Sequence, residues 1–136
     1  MTYTRLIQIE FNHCDPAGIV FYPRYFEMTN SVVENFFADV VGRSFAQMLV
    51  AGGAGVPTVS LAAEFLAPSR LGDKVLFSLL IEKVGRSSLG LVIEGRMGEE
   101  LRMRAKITLV WVQGMVPKPW PEAMRARLVG YLEGGQ

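Results

Sequence analysis

Reactive and strongly charged residues are scarce in this chain. One residue of 136 is cysteine and one is histidine, so an internal disulfide is excluded and no zinc site of ordinary Cys/His composition can be assembled. The lone thiol fits a reducing compartment. Lys and Arg total 14 against 13 Asp and Glu, a formal net charge of +1, too weak a field to mark nucleic acid or an anionic membrane as the partner. No apolar run reaches the roughly 20 residues a spanning helix needs. The opening MTYTRLIQIEF passes straight into alternation, without the apolar core of a leader. No repeat, charge block or low-complexity tract is present. The expectation is a cytoplasmic protein with neither a membrane nor a nucleic-acid partner, a single domain over residues 1–136 long enough to bury its own core.

Turn chemistry, a carboxylate and a helix start coincide in one stretch, Phe11 to Phe37. Pro16 fixes its own φ and biases Asp15 away from the helical region, and Gly18 admits a positive φ, so the chain must turn there. Pro23 suits the first turn of a helix, which is predicted to start at about Tyr22. Apolar or near-apolar side chains then recur at Tyr22, Tyr25, Phe26, Thr29, Val32, Val33, Phe36, Phe37, Val40 and Val41, the spacing of one broad buried stripe. Gly42 is placed to end the helix, and Ser44 to cap a short second helix over Ser44–Val50. The Gly52-Gly53-Ala54-Gly55 run lacks a following Lys-Ser/Thr and reads as a connection, not a phosphate loop.

Five segments read as strands: Thr4–Phe11, Val56–Leu66, Lys74–Val84, Ser87–Arg96 and Leu101–Val112, with joints short enough for antiparallel pairing. The last alternates Leu101, Met103, Ala105, Ile107, Leu109 and Trp111 with Arg102, Arg104, Lys106 and Thr108, which predicts one dry face and one wet face. Pro117, Pro119 and Pro121 predict an extended crossing into a terminal packing helix, Glu122–Leu132. Strand, long helix, then four antiparallel strands resembles the hotdog fold, an α+β arrangement in which a curved antiparallel sheet wraps around one central helix. An edge strand of such a sheet calls for a second copy.

The residues Asp15, Pro16, Ala17, Gly18, Ile19, Val20, Tyr22 and Tyr25, with GVPTVSLAAEFLAPSRLGD at 55–73, resemble the 4-hydroxybenzoyl-CoA thioesterase family of hotdog proteins, Pseudomonas branch, over Thr4 to Val116. The resemblance implies an acyl-CoA substrate, no separate cofactor because CoA belongs to the substrate, and an assembly of at least a homodimer, with a homotetramer expected. It also implies that Asp15 is the catalytic carboxylate and that the Tyr22 backbone N–H holds the thioester carbonyl. The physics agrees, since a helix start offers unpaired N–H groups and partial positive charge to a developing oxyanion. Where the hydroxybenzoyl enzyme has an aspartate on the long helix, this chain has Asn30, which both donates and accepts. Of the basic residues expected to grip CoA phosphates Arg86 matches, Ser87 stands where a lysine is expected, and Lys83 and Lys118 are candidates to compensate.

Plainer roles stand beside these. An aspartate before proline is commonly a turn residue. His13 is expected as a partner or surface residue, Cys14 as a small packed side chain, and Phe26 as core. Tyr25 either packs or lines the acyl site. Ser60 either packs in its strand or positions a carbonyl or water. Arg102, Arg104 and Lys106 are expected on a solvated strand face. Besides thioester hydrolysis, two functions stay open: a hotdog hydratase or dehydratase using His13 with Asp15, and a non-catalytic acyl-CoA-binding protein.

Overall fold

A computed structural model describes residues 1–134, without the side chain of Ala51. Strand β1 spans Tyr3–Gln8. It stops short of Phe11 because Phe11–His13 coil into a 3-10 turn, in which the Glu10 N–H donates to His13 Nδ1 at 2.8 Å. Helix α1 spans Arg24–Phe36, two residues later than the proline pattern suggested, with Tyr22 and Pro23 forming the entry turn. It continues through a wider π turn at Phe37–Val41 and ends at Gly42, whose φ is 84°. Helix α2, Phe45–Gly52, is capped as expected, with Ser44 Oγ accepting from the Gln47 N–H at 3.1 Å.

After a two-residue strand β2 at Ala54–Gly55 come β3 at Thr58–Phe65, β4 at Lys74–Val84, β5 at Ser88–Met97 and β6 at Glu100–Val110. Strands β1, β4, β5, β6 and β3, in that order, form one antiparallel sheet. Register shifts at Thr58/Ser60, Ile81/Lys83 and Gly95/Arg96 insert bulges, which add local bend and twist and help the sheet wrap around α1. Two more short strands, β7 at Val112–Gln113 and β8 at Val116–Pro117, form with β2 a small second sheet that the alternation did not announce, β7 lying between the other two. Helix α3, Glu122–Gly134, completes the chain. No helix among the described residues is long and apolar enough to cross a membrane.

The core lies between α1 and the inner face of the sheet. Leu79, Ile93 and Ala105 sit side by side across β4, β5 and β6, all fully buried, and face Met28, Val32 and Phe36 of α1 within one apolar cluster. Phe36 meets the rings of Tyr3 and Tyr131 edge-on at 5.7 and 5.3 Å, so α3 closes the same core through Met124 and Leu128. Gly95 is a glycine for lack of room: a Cβ there would sit 3.0 Å from Phe77 and 3.2 Å from Val75. Gly95→Ala is therefore expected to destabilise the fold by about 1–3 kcal/mol through overpacking, read as a lowered urea midpoint at unchanged slope.

Two features of the sheet bear on function. Arg104 and Lys106 face outward as expected and pair with Glu94 and Glu82 at 3.4 and 3.8 Å. Arg102 does not; it is only 9% exposed. Residues 66–73 fold back over it, and the N–H groups of Leu66 and Ala67 both donate to its carbonyl. Strand β3, in contrast, lies at the sheet edge with Val59 61%, Leu61 43% and Phe65 43% exposed.

Candidate active site

Asp15 is held by its own turn. Its N–H donates to the Ile19 carbonyl at 3.0 Å, its carbonyl accepts from the Gly18 N–H at 2.9 Å, and its Oδ1 accepts from the Ala17 N–H at 2.9 Å. Gly18 carries a φ of 78°, a conformation that strains any residue with a Cβ. The second carboxylate oxygen, Oδ2, has no hydrogen-bond partner among the described residues. The turn is clamped on both sides: the Phe21 N–H donates to the His13 carbonyl, the Val20 N–H to the Ser69 carbonyl, and the Leu71 N–H to the Gly18 carbonyl, at 2.9, 2.9 and 3.1 Å.

The helix entry beside it leaves one amide open. The N–H groups of Phe21, Arg24, Tyr25 and Phe26 donate to the carbonyls of His13, Phe21, Tyr22 and Pro23, and Pro23 has no N–H to offer. Tyr22 alone in this stretch keeps an N–H without an acceptor among the described residues, at the electropositive end of α1. An oxyanion donor needs that combination.

Phe26 and Asn30 lie at i and i+4 on one face of α1, and Tyr22 stands four residues before Phe26 in the entry turn. Phe65 meets Tyr22 edge-on at 5.5 Å, stacks on Tyr25 at 5.6 Å and touches Phe26 at 6.1 Å. On one side of this cluster Tyr22, Tyr25, Val20 and Ser69 line a cavity of about 240 Å³. On the other, Phe26, Asn30, Val33, Thr58 and Leu61 line one of about 190 Å³. Phe26 is thus a wall residue as well as a packed one. Tyr25 is buried, its hydroxyl donating to Ser69 Oγ at 2.8 Å. Burial pushes that phenol above its ordinary pKa, against the opposing pull of the Ser69 bond and Arg102.

Arg102 Nη1 donates to the Pro68 carbonyl, Ser69 Oγ and Asp73 Oδ2 at 3.0, 3.2 and 2.9 Å. Its Nε lies against Glu100 as an ion pair without hydrogen-bond alignment. The Arg70 N–H and the Arg102 guanidinium hold the Asp73 carboxyl below its usual pKa. A depressed carboxylate contributes stability that is present above its unfolded pKa and is lost as pH falls through the folded one. Asp73→Asn is therefore expected to destabilise the protein at pH 7, and to flatten the loss of stability that the wild type shows below about pH 4, as read by urea midpoints across that range.

The remaining sequence-derived candidates are not gathered around Asp15. Ser60 is exposed on β3 opposite Thr108 and outside both cavities. Arg86 sits in the turn between β4 and β5, and its carbonyl accepts from the Trp120 N–H at 3.0 Å. Lys118 comes to the same end of the sheet, its N–H on the Trp111 carbonyl at 3.1 Å. Arg125, which the sequence reading passed over, lies at this end too, donating to the Gly85 carbonyl at 2.6 Å. The Asp15 turn, however, is clamped through Gly18, Ile19 and Val20 to residues 69–71, before β4 begins, whereas Arg86 follows its end; eleven residues of strand separate the two, a contour of roughly 35 Å. His13 makes no hydrogen bond to Asp15 among the described residues; its Nδ1 is engaged in the 3-10 turn. Cys14 is half-buried, with Sγ 3.6 Å from the Glu10 carbonyl.

Residues 17–103 match the family described as the thioesterase superfamily, a match that begins just after Asp15. The chain is 33% identical over 82 residues, 60% of its own length and 58% of the relative's, to 4-hydroxybenzoyl-CoA thioesterase from Pseudomonas sp. strain CBS-3. It is 24% identical over 131 residues, 90% of its length and 94% of the relative's, to 1,4-dihydroxy-2-naphthoyl-CoA hydrolase from Synechocystis. The crystal structure of a 1,4-dihydroxy-2-naphthoyl-CoA thioesterase from Synechocystis superposes with a TM-score of 0.86 at 22% identity, covering 95% of this chain and 96% of that one.

Proposed function

The chain belongs to the thioesterase superfamily, and from that premise we propose that it hydrolyses an acyl-CoA thioester with an aromatic acyl group, using the Asp15 carboxylate and the Tyr22 N–H. The observation that carries the reading is the pair itself: a carboxylate with one oxygen restrained by Ala17 and one open, beside the single open amide of a helix entry. In one route Asp15 removes a proton from water as that water adds to the carbonyl carbon. In the other Asp15 adds directly, giving a mixed anhydride that water then cleaves. Both pass through a tetrahedral oxyanion on the Tyr22 N–H, expel CoA thiolate, and end in free acid and CoA thiol.

Two observations support an aromatic acyl group. Both curated relatives are named for aryl-CoA substrates. The cavity beside Asn30, about 190 Å³ and mainly apolar-walled, is of the size that takes a single ring, since a void of about 150 Å³ holds benzene. Asn30 is the one amide in that wall and would read a ring substituent as donor or acceptor.

A second copy completes the reading. The exposed β3 edge is long, bears apolar side chains and has an unpaired backbone rim, the kind of edge that a strand from another copy covers. Antiparallel pairing of two β3 edges sets the Thr58–Ser60 end of one copy beside the Phe65 and Tyr22 end of the other. It gives Ser60 a role across the interface, and a higher assembly such as a tetramer would bring Arg86 and Lys118 of another copy toward the CoA phosphates. The half-buried single thiol suits the reducing cytoplasm as its setting.

The test is a thiol-release screen over aryl, short-chain and long-chain acyl-CoA esters. Free CoA thiol from aryl esters is expected, with little from long chains. Consumption of an enoyl ester without thiol release would instead point to the hydratase reading, and tight binding with no turnover to a binding protein.

A further inference from the structure

Ser69 is fully buried, and it is joined to both halves of the proposed site. Its carbonyl accepts from Val20, inside the Asp15 turn, at 2.9 Å, and its Oγ accepts from Tyr25, in the first turn of α1 just beyond the Tyr22 amide, at 2.8 Å. Arg102, reaching from β6, donates through one nitrogen to Ser69 Oγ, to the Pro68 carbonyl and to Asp73, so the 68–73 loop that carries Ser69 is itself anchored from the sheet. The same loop meets the Asp15 turn again through the Leu71 N–H to the Gly18 carbonyl and an antiparallel bridge between Ile19 and Arg70. The general physical point is that attack on a bound carbonyl is sensitive to the separation of its two catalytic groups, a misplacement of about 1 Å costing on the order of 10²-fold.

We propose that Arg102 and Ser69 are positioning residues: they set the spacing between the Asp15 carboxylate and the Tyr22 amide without touching substrate. The proposal rests on the reading that those two groups perform the chemistry. A charged side chain surrounded by a fold-back loop and spending three hydrogen bonds on it is more than a solvated strand residue, and the arrangement gives Tyr25 a task as well, that of tying the helix entry to the same serine.

The experiment compares Ser69→Ala, Tyr25→Phe, their double variant, Arg102→Ala and Asp15→Asn in steady-state aryl-CoA hydrolysis, with melting temperature measured on each. Ser69→Ala deletes the bonds that Oγ accepts from Tyr25 and from Arg102, and Tyr25→Phe deletes only the first of them. Expected are a fall in kcat of about 10- to 100-fold for Ser69→Ala, a KM within about twofold of wild type, and a double variant no slower than Ser69→Ala, because both substitutions break the same link. Arg102→Ala is expected to lose kcat comparably and to regain part of it when guanidinium is added at concentrations too low to unfold it. If Arg102→Ala fails to fold, the Ser69 and Tyr25 cycle decides alone. A folded Ser69→Ala enzyme with wild-type kcat, or one whose melting temperature falls while kcat holds, overturns the positioning role even when Asp15→Asn is inactive. Normal turnover by Asp15→Asn removes the premise and the proposal with it.

Discussion

Asp15→Asn is expected to lower kcat by about 10²–10⁴-fold, the range associated with losing a general base, while KM for the aryl-CoA ester changes little. The substitution suits the question because of local geometry. The asparagine carbonyl can still accept from the Ala17 N–H, the contact that Asp15 Oδ1 makes at 2.9 Å, so the turn and its clamps to Ser69 and Leu71 keep their shape. What disappears is the carboxylate oxygen Oδ2, which has no hydrogen-bond partner among the described residues. A loss confined to kcat means the missing interaction belonged to the transition state, whereas a rise in KM at constant kcat would mean it had served binding alone. Asp15→Ala removes the turn contact too and is expected to add a stability cost, which separates the two jobs of the carboxylate. Rapid-quench trapping of an acyl-enzyme in wild type would select the anhydride route. Near-normal turnover by Asp15→Asn would end the assignment of this residue.

The second large effect is expected at the sheet edge. Introducing lysine at Val59 and Ala62 places like charges along β3, the edge on which the proposed second copy would pair, and charged edges resist strand pairing. Both positions are exposed within one chain, so the monomer fold should tolerate them. Sedimentation is expected to show monomers, with thiol release falling at least about tenfold if the proposed second copy supplies Ser60 to the site. The roughly 35 Å of strand between Asp15 and Arg86 makes a complete site within one chain hard to assemble, and the same argument predicts that Arg86→Ala raises KM in the assembled protein without altering kcat. Monomers that hydrolyse at the wild-type rate would sink the shared-site reading, and so would a double-lysine variant that remains dimeric through another face with activity intact.

The fold was legible where the physics is local. Asp15-Pro16-Ala17-Gly18 had to turn, Gly42 had to end a helix, and Ser44 had to cap the next, since each outcome depends on dihedral preferences and side chains within a few residues. The alternation of residues 101–111 likewise named the buried face that holds Met103, Ala105, Ile107, Leu109 and Trp111. Asp15 and Tyr22 were singled out by the family resemblance, and its motif residues, Asp15 to Tyr25, lie within about ten positions of one another in the chain.

Only tertiary structure decided the rest. Strand order is a matter of long-range pairing, so nothing in β3 itself marks it as the edge, and an alternating Arg102 reads the same whether its face meets water or a returning loop. The meeting of Ser69 with Tyr25 and Val20, of Arg125 with Gly85, and the distance that parts Arg86 from Asp15 all follow from which strands lie next to which. The sequence by itself determined the turn and the helix that follows it; the packed sheet decided which loop clamps their junction and which strand is left at the edge, because both depend on contacts between residues far apart along the chain.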